Sequence, residues 1–270
     1  MMATGWVRLR DLGYYGVAGV ICGGIAIGIH FYRSRKDALP RAKEAYRSDE
    51  KVHVVKKKNV TLFLPKGEEP KKVALIFLPG ALTESTSYAP ALRRIAQAGH
   101  PVALVEMPFR MALFGQSRVM EAIDILNDEE KIGAGFVLGG HSLGGAVASN
   151  IVESQKQIRG LKGIVFWASY AYKKNWRNRG DLKVLSLLGT NDGVINSKSL
   201  EESLECMPLG TTTVVHIKGG NHTQFGCSHR VDGPFSMKDK DPQISLEEQE
   251  DRVVQETVSF LRDIDTAPDM

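Results

Sequence analysis

A serine stands between small residues in the sequence GGHSLGG at residues 139–145, a pattern typical of a nucleophile on a sharp strand-to-helix turn. A Gly-x-Ser-x-Gly run alone arises by chance in about one chain in ten of this length. Here, however, residues 136–138 predict a strand before it and residues 144–153 predict a helix after it. Glycine is needed beside such a serine because the crowded turn leaves no room for a Cβ atom. We therefore predict Ser142 as a nucleophile, with Gly140 and Gly144 forming the turn.

The base is predicted from chain order. A serine hydroxyl needs a base to take its proton, and the base needs a carboxylate to orient it. Where this turn is used, the acid and then the histidine follow the serine, each just beyond a strand. His222 follows the predicted strand 212–217 by a glycine-rich turn, which makes it the predicted base. His216 lies inside that strand, where a buried core role is expected, and His229 lies in a polar loop.

The acid is predicted in the same way. The predicted strand 184–188 runs into Gly-Thr-Asn-Asp-Gly, and Asp192 is the carboxylate just beyond it. Asp181 precedes the strand, and Asp232 is the second choice. The alternative interpretation of Asp192 is an ordinary turn residue before a glycine.

Acyl transfer also needs two donors directed at the developing oxyanion. One is expected to be the backbone N–H of Leu143, at a helix N-terminus. The other is expected from the loop after the predicted strand 73–78, with Ala81 as first choice and Leu82 as second.

Alternating strands and helices must position these groups. The apolar strands predict a mostly parallel sheet with helices on both faces, an α/β fold. A hairpin, 52–56 and 60–64, is expected to precede it. The other predicted strands are 73–78, 102–105, 136–138, 163–167, 184–188 and 212–217, and the predicted helices are 88–98, 117–127, 144–153 and 246–261.

Residues 12–32 contain no formally charged side chain and are long enough to span a bilayer as one helix. Cations flank the run on both sides, at Arg8 and Arg10 and again from Arg33 to Lys36. We predict a single-pass N-terminal membrane anchor, with a cleaved signal peptide as the alternative. The larger number of cations after the run favours a cytosol-facing domain, although the side of the membrane stays open.

Small residues recur at helical spacing within this run, at Gly19 and Gly23 and at Gly24 and Gly28. Such spacing favours close packing of two membrane helices, so a homodimer through this segment is a hypothesis. The predicted organisation is a tail and anchor at 1–36, a linker at 37–49, an α/β domain at 50–263 and a disordered tail at 264–270.

Composition excludes other classes. The net charge of +4 is mild and the cations form no dense stripe with aromatics, which argues against a nucleic-acid-binding protein. The three cysteines include no CxxC pair, and no His/Cys cluster has zinc spacing, so we expect neither a metal nor another cofactor. Cys206 and Cys227 could pair, but two free thiols are the default expectation.

Several sequence blocks together resemble the α/β-hydrolase fold-5 proteins, relatives of the dienelactone hydrolases, over roughly residues 46–261. The blocks are FLPGALTESTSYAPALRRIAQAGHPVALVEMPF, LGGHSLGGAVASN, WASY, LGTNDGV and GGNHTQFG. The resemblance implies a compact hydrolase without a large cap domain, often with an N-terminal membrane segment, and a triad of Ser142, Asp192 and His222. Dienelactone hydrolases have a cysteine nucleophile where this chain has serine, which argues against lactone hydrolysis.

The expected function is hydrolysis of carboxylic ester-type bonds in a small molecule through an acyl-enzyme. A catalytically silent membrane-tethered interaction protein is one alternative, and an acyltransferase or haloperoxidase-like enzyme with the same triad is another. Candidate pocket-lining residues are Leu82, Phe109, Trp167 and Tyr170, with a plain core role as the alternative for the aromatic ones.

Overall fold

A mostly parallel sheet forms the centre of the fold in the computed structural model, which describes residues 32–66, 73–128, 135–154, 158–171, 174–230 and 238–267. The strands of these segments are β1 (Val52–Lys57), β2 (Val60–Pro65), β3 (Val73–Leu78), β4 (Val102–Val105), β5 (Gly135–His141), β6 (Leu161–Trp167), β7 (Lys183–Gly189) and β8 (Thr212–Ile217). They lie in the order β1-β2-β4-β3-β5-β6-β7-β8. β2 pairs antiparallel with β1 and β4, and all the pairs from β4 to β8 are parallel. The predicted α/β architecture is therefore confirmed.

Helices cover both faces of this sheet. The described helices are α1 (Pro40–Glu44), α2 (Ala89–Gln97), α3 (Gln116–Asp128), α4 (Leu143–Ser154), α5 (Ser197–Glu205) and α6 (Leu246–Asp265). Phe77 of β3 packs in a cluster with residues of α2 and α6, whereas its neighbour Ile76 packs in a second cluster with residues of α3 and α4. Successive side chains of a strand point to opposite faces, so a continuously apolar strand must be covered on both.

The predicted linker is part of the folded domain. Within residues 37–49, α1 buries Ala42 completely, and Leu39 donates its N–H to the carbonyl of Cys227. A mostly polar stretch concealed this packing because two alanines, Ala38 and Ala42, and backbone hydrogen bonds suffice for it. At the other end, α6 continues to Asp265, beyond the predicted domain limit at residue 263.

The predicted membrane anchor falls almost entirely outside the described residues, which begin at Tyr32. Among the helices that are described, none is both long and apolar enough to cross a bilayer.

Candidate active site

Ser142 sits on a strained turn between β5 and α4. Its φ of 50° lies in the left-handed region, which non-glycine residues rarely adopt. Its N–H donates to the carbonyl of Trp167 at 3.0 Å, and its carbonyl accepts from the Ser169 hydroxyl at 2.7 Å. These bonds hold the strained backbone from the neighbouring strand β6, and Ser142 remains partly exposed at the carboxyl edge of the sheet.

The glycines beside Ser142 allow backbone segments to approach very closely. A Cβ atom on Gly144 would lie 2.2 Å from the Leu78 carbonyl oxygen, and one on Gly140 would lie 2.4 Å from the Gly145 nitrogen. Both contacts are with backbone, which cannot move aside as a flexible side chain can. The turn therefore presses α4 against the end of β3, and this brings the serine beside the loop that follows β3.

We expect Gly144→Ala to lower the free energy of unfolding by about 1–3 kcal/mol or more, because the added methyl group overpacks a rigid site. The melting temperature measured by thermal denaturation should fall accordingly. The matched control is Gly180→Ala, since a Cβ atom at Gly180 meets nothing within 4 Å. Equal melting temperatures for the two variants would contradict the close approach at the turn.

Asp192 and His222 are brought together by the loops after β7 and β8. Asp192 Oδ2 lies 2.8 Å from His222 Nδ1, and both side chains are almost completely buried. The other carboxylate oxygen, Oδ1, accepts the backbone N–H groups of Val194 at 2.7 Å and Ile195 at 2.9 Å. The loop that carries Asp192 therefore holds its carboxylate in place independently of the imidazole.

The ionisation of Asp192 decides which imidazole nitrogen carries the proton. Burial alone would raise the pKa of Asp192, but the hydrogen bond and charge of His222, with the N–H groups of Ile195 and Val194, hold it below the usual value. An ionised carboxylate only accepts hydrogen bonds. His222 therefore carries its proton on Nδ1, which leaves Nε2 as the nitrogen able to accept one.

The other sequence candidates lie elsewhere. His216 is exposed on the edge strand β8, so its predicted burial in the core is wrong, because no strand or helix among the described residues covers it there. His229 is exposed, and its backbone N–H donates to the carbonyl of Asp37. Asp181 pairs with Arg179 at the surface, and Asp232 lies outside the described residues.

The structure separates the two candidates for the second oxyanion donor. The Leu82 N–H donates to the Arg110 carbonyl at 2.8 Å, so Leu82 is not free for this role. The Ala81 N–H has no hydrogen-bond partner within the described part of the chain, and Ala81 is partly exposed. Leu143 is the first residue of α4, where N–H groups have no partner inside the helix. Ala81 and Leu143 therefore remain the candidate donors.

Backbone strain concentrates at this edge of the sheet. The described non-glycine residues with positive φ in the loops after β3, β4, β5 and β6 are Leu82, Phe109, Arg110, Ser142 and Ala168. Each costs of order 1–3 kcal/mol, and such strain typically clusters at functional sites. This strain therefore marks the carboxyl ends of the parallel strands, which is where ligands bind in such α/β sheets.

The candidate pocket residues have different surroundings. Trp167 is fully buried with its ring 4.4 Å from that of Phe77, so its predicted role in lining a pocket is wrong. β6 ends only after this residue, which keeps its side chain between the sheet and α6, where its indole N–H donates to Thr257. Leu82 is buried and Tyr170 is partly buried, whereas Phe109 is 70% exposed.

A cleft of about 450 Å³ borders the loop after β3, and neither Ser142 nor Asp192 nor His222 lines it. Its lining includes Pro79, Thr83, Glu84, Glu106 and Arg110.

Sequence reasoning missed a buried polar pair behind the turn. Tyr88 Oη lies 2.7 Å from His141 Nδ1 and accepts the Gly80 N–H at 3.0 Å. Burial, together with the charges of His222 and Lys36, holds the pKa of His141 well below the ordinary value, so its ring is neutral. The pair ties the loop after β3 to the residue before Ser142. His141 was visible in the motif, but nothing in the sequence indicated Tyr88 as its partner.

The thiols described by the structure agree with the default expectation. Cys206 is partly buried, Cys227 is buried, and both are free.

A central parallel sheet, a strained serine after β5 and an Asp–His pair after β7 and β8 define a protein of the α/β-hydrolase class. A family model described as an alpha/beta hydrolase family matches residues 74–251, and the chain belongs to this family. In the comparison with curated proteins, none matches.

Solved structures share the fold at low sequence identity. TT1662 from Thermus thermophilus superposes with a TM-score of 0.58 at 16% identity, covering 80% of this chain and 99% of its own. An esterase/lipase from an uncultured bacterium gives 0.57 at 13% identity, with coverage of 84% and 89%. A dienelactone hydrolase-like promiscuous phosphotriesterase from metagenomic libraries gives 0.55 at 14% identity, with coverage of 78% and 98%.

Proposed function

We propose that the protein hydrolyses carboxylic ester-type bonds of small molecules with Ser142 as nucleophile, His222 as base and Asp192 as orienting acid. His222 Nε2 takes the proton from the Ser142 hydroxyl while Oγ attacks the acyl carbon. The proton then goes to the leaving alcohol as the acyl–oxygen bond breaks. Water, deprotonated by the same nitrogen, then attacks the acyl carbon. The bond to Ser142 Oγ breaks, Oγ takes the proton back from His222 Nε2, and the acid is released. The N–H groups of Ala81 and Leu143 stabilise the oxyanion in both steps.

The observation that carries this proposal is the 2.8 Å hydrogen bond between Asp192 and His222 beside a strained serine turn. The ring of His222 lies 4.7 Å from that of His141, the residue that precedes Ser142. An imidazole oriented by a buried carboxylate and placed beside a serine turn is the arrangement that activates a serine nucleophile.

The experiment is a panel of p-nitrophenyl esters of increasing acyl length, with lactones and thioesters in parallel. Hydrolysis of the simple esters, lost in Ser142→Ala, is the expected result. No hydrolysis and no labelling by a fluorophosphonate would favour a silent interaction protein instead. Products that carry an added alcohol or amine acceptor in place of water would favour an acyltransferase, and halogenation with peroxide would favour a haloperoxidase-like enzyme.

We also propose that residues 12–32 anchor the protein in a membrane and hold its active site near the bilayer surface. The segment that follows is hydrogen-bonded to the loop after β3. The Lys36 N–H donates to the Leu82 carbonyl, and the Lys36 carbonyl accepts the Glu84 N–H. A fully extended chain from Tyr32 to Lys36 spans about 14 Å at most. The domain faces the cytosol in this proposal, and a homodimer through the glycine spacings of the anchor remains part of it.

An exposed aromatic pair beside this segment supports the proposal. Phe109 is 70% exposed and Phe114 is 64% exposed, with their ring centroids 6.3 Å apart. Arg110, which lies between them in the sequence, forms a salt bridge of 2.7 Å with Asp37 of the segment that follows the proposed anchor. Exposed aromatic side chains next to a membrane segment are suited to the interfacial region of a bilayer.

We expect the tryptophan of Phe114→Trp in the full-length chain to be quenched by dibrominated phosphatidylcholine vesicles. The control is Leu209→Trp. Leu209 is also exposed, at 72%, but it precedes β8 and so lies where the parallel strands begin, at the opposite end from the site. Of the three native tryptophans, Trp167 and Trp176 are buried and Trp6 lies outside the described residues, so quenching of the parent protein is subtracted as the baseline for all three. Equal quenching of the two variants, or no association with vesicles, would contradict the proposal.

A further inference from the structure

Asp239 touches both loops that carry the catalytic acid and base. Its Oδ1 accepts the N–H of Gly193 at 3.0 Å, and its Oδ2 accepts the N–H of Thr223 at 2.7 Å. Gly193 directly follows Asp192, and Thr223 directly follows His222. One carboxylate thus bridges the residues next to each member of the hydrogen-bonded pair. Asp239 is only 6% exposed, so water competes little for these bonds.

The backbone beside Asp239 repeats the same bridge. The Asn191 side-chain amide donates to the Asp241 carbonyl at 2.9 Å, and the Asn221 side-chain amide donates to the Lys240 carbonyl at 2.8 Å. Each catalytic loop therefore donates one hydrogen bond to the Asp239 carboxylate and one to a backbone carbonyl that follows Asp239. We call residues 239–241 the brace.

The loops have close backbone contact with the brace. A Cβ atom on Gly193 would lie 2.8 Å from the Lys240 nitrogen, so the acid loop approaches the brace more closely than any larger residue would permit. The brace itself is held by Arg230, which donates to the Asp239 carbonyl at 2.8 Å. A small displacement of either loop would lengthen the Asp192–His222 hydrogen bond.

We propose that Asp239 is a positioning residue, whose carboxylate fixes the distance and angle between Asp192 and His222 by holding the backbone after each. The proposal rests on the proposed triad, and it adds a second buried carboxylate that never touches the substrate. Because Asp239 acts through the two loops, its removal should impair the chemical step rather than substrate binding.

The first test is Asp239→Asn. An amide keeps one acceptor but turns an NH₂ donor toward a backbone N–H, which leaves that N–H without a partner. We expect kcat for a p-nitrophenyl ester to fall about 10²-fold, the scale of a small misplacement of catalytic groups. KM should change by less than about twofold, because the substrate contacts are untouched.

The second readout is the imidazole Nδ1 proton of His222, which a strong hydrogen bond to a carboxylate moves far downfield in the proton NMR spectrum. The signal should be present in the wild type and broadened or lost in Asp239→Asn. The signal is independent of hydrolysis, so a wild-type protein that shows it but cleaves no ester, with the signal lost in Asp239→Asn, would refute the proposed function and not the brace.

A matched control is Asp49→Asn. Asp49 also accepts two backbone N–H groups, those of Lys51 and Val52, both at 2.8 Å. It precedes β1, however, and so lies away from the ends of the strands that carry the site. This variant should keep kcat and the His222 signal. A second variant, Asn191→Ala, removes one partly exposed bond of the brace and should lower kcat several-fold with the same signature, should Asp239→Asn not fold.

Charge must be separated from positioning, since the ammonium of Lys36 interacts with the charge of Asp239. We expect the double variant Asp239→Asn, Lys36→Met to remain as slow as Asp239→Asn alone. Recovery of kcat in the double variant would show an effect of charge and overturn the proposal. So would a kcat of Asp239→Asn within about threefold of wild type, or a fall in kcat with the His222 signal intact.

Discussion

Ester hydrolysis by the Ser142→Ala variant is expected to fall by about 10⁴–10⁶-fold in kcat, since nothing else at the turn can form the acyl-enzyme. Alanine retains the Cβ atom and the backbone bonds to Trp167 and Ser169, so the strained turn should persist. The melting temperature should therefore stay within a few degrees of the wild type. Stopped-flow or long-incubation assays with p-nitrophenyl butyrate measure the loss.

The control is Ser154→Ala, at the far end of the helix that Ser142 precedes. The Ser154 hydroxyl donates to the Ile151 carbonyl, away from the loops of the site. It should keep full activity. If Ser142→Ala retained more than a few per cent of wild-type kcat, the nucleophile would be a different group.

The second large effect is expected for Asp192→Asn, with kcat lower by about 10⁴-fold. The asparagine carbonyl can still accept the N–H groups of Val194 and Ile195, which preserves the loop. Its NH₂ group, however, would face His222 Nδ1 and favour the tautomer with the proton on Nε2. That tautomer cannot accept the serine proton.

The Asp192→Asn effect should appear equally in kcat and kcat/KM, because the lost interaction operates in the transition state. Asp181→Asn serves as the control, since Asp181 carries an ionised carboxylate paired with Arg179 at the surface. Comparable activity of the two variants would show that the carboxylate of Asp192 does not orient His222.

The fold could be predicted because burial on both faces leaves a strong pattern. Strands such as β3 are apolar at every position, and only a sheet covered by helices on both sides accommodates them. The order of serine, acid and histidine could be predicted because each follows such a strand. Family resemblance in the same blocks added the expectation of a compact domain.

Other features depend on contacts between distant segments that carry no local pattern. His216 was expected in the core because it lies in a strand, but β8 is the sheet edge. Trp167 was expected to line the pocket because β6 ends at this residue, beside the site. Its ring instead packs inside the core against Phe77. The role of Asp239 depends on two backbone N–H groups from separate loops, which no spacing in the sequence reveals.

The central claim is that Ser142 is the nucleophile, and covalent labelling tests it most directly. Full-length protein is treated with a fluorophosphonate, digested, and the modified peptide is identified by mass spectrometry. We expect one phosphonyl adduct per chain, located on Ser142, and no adduct on the Ser142→Ala variant. Ester hydrolysis without labelling, or an adduct on another residue that abolishes activity, would contradict the assignment of Ser142.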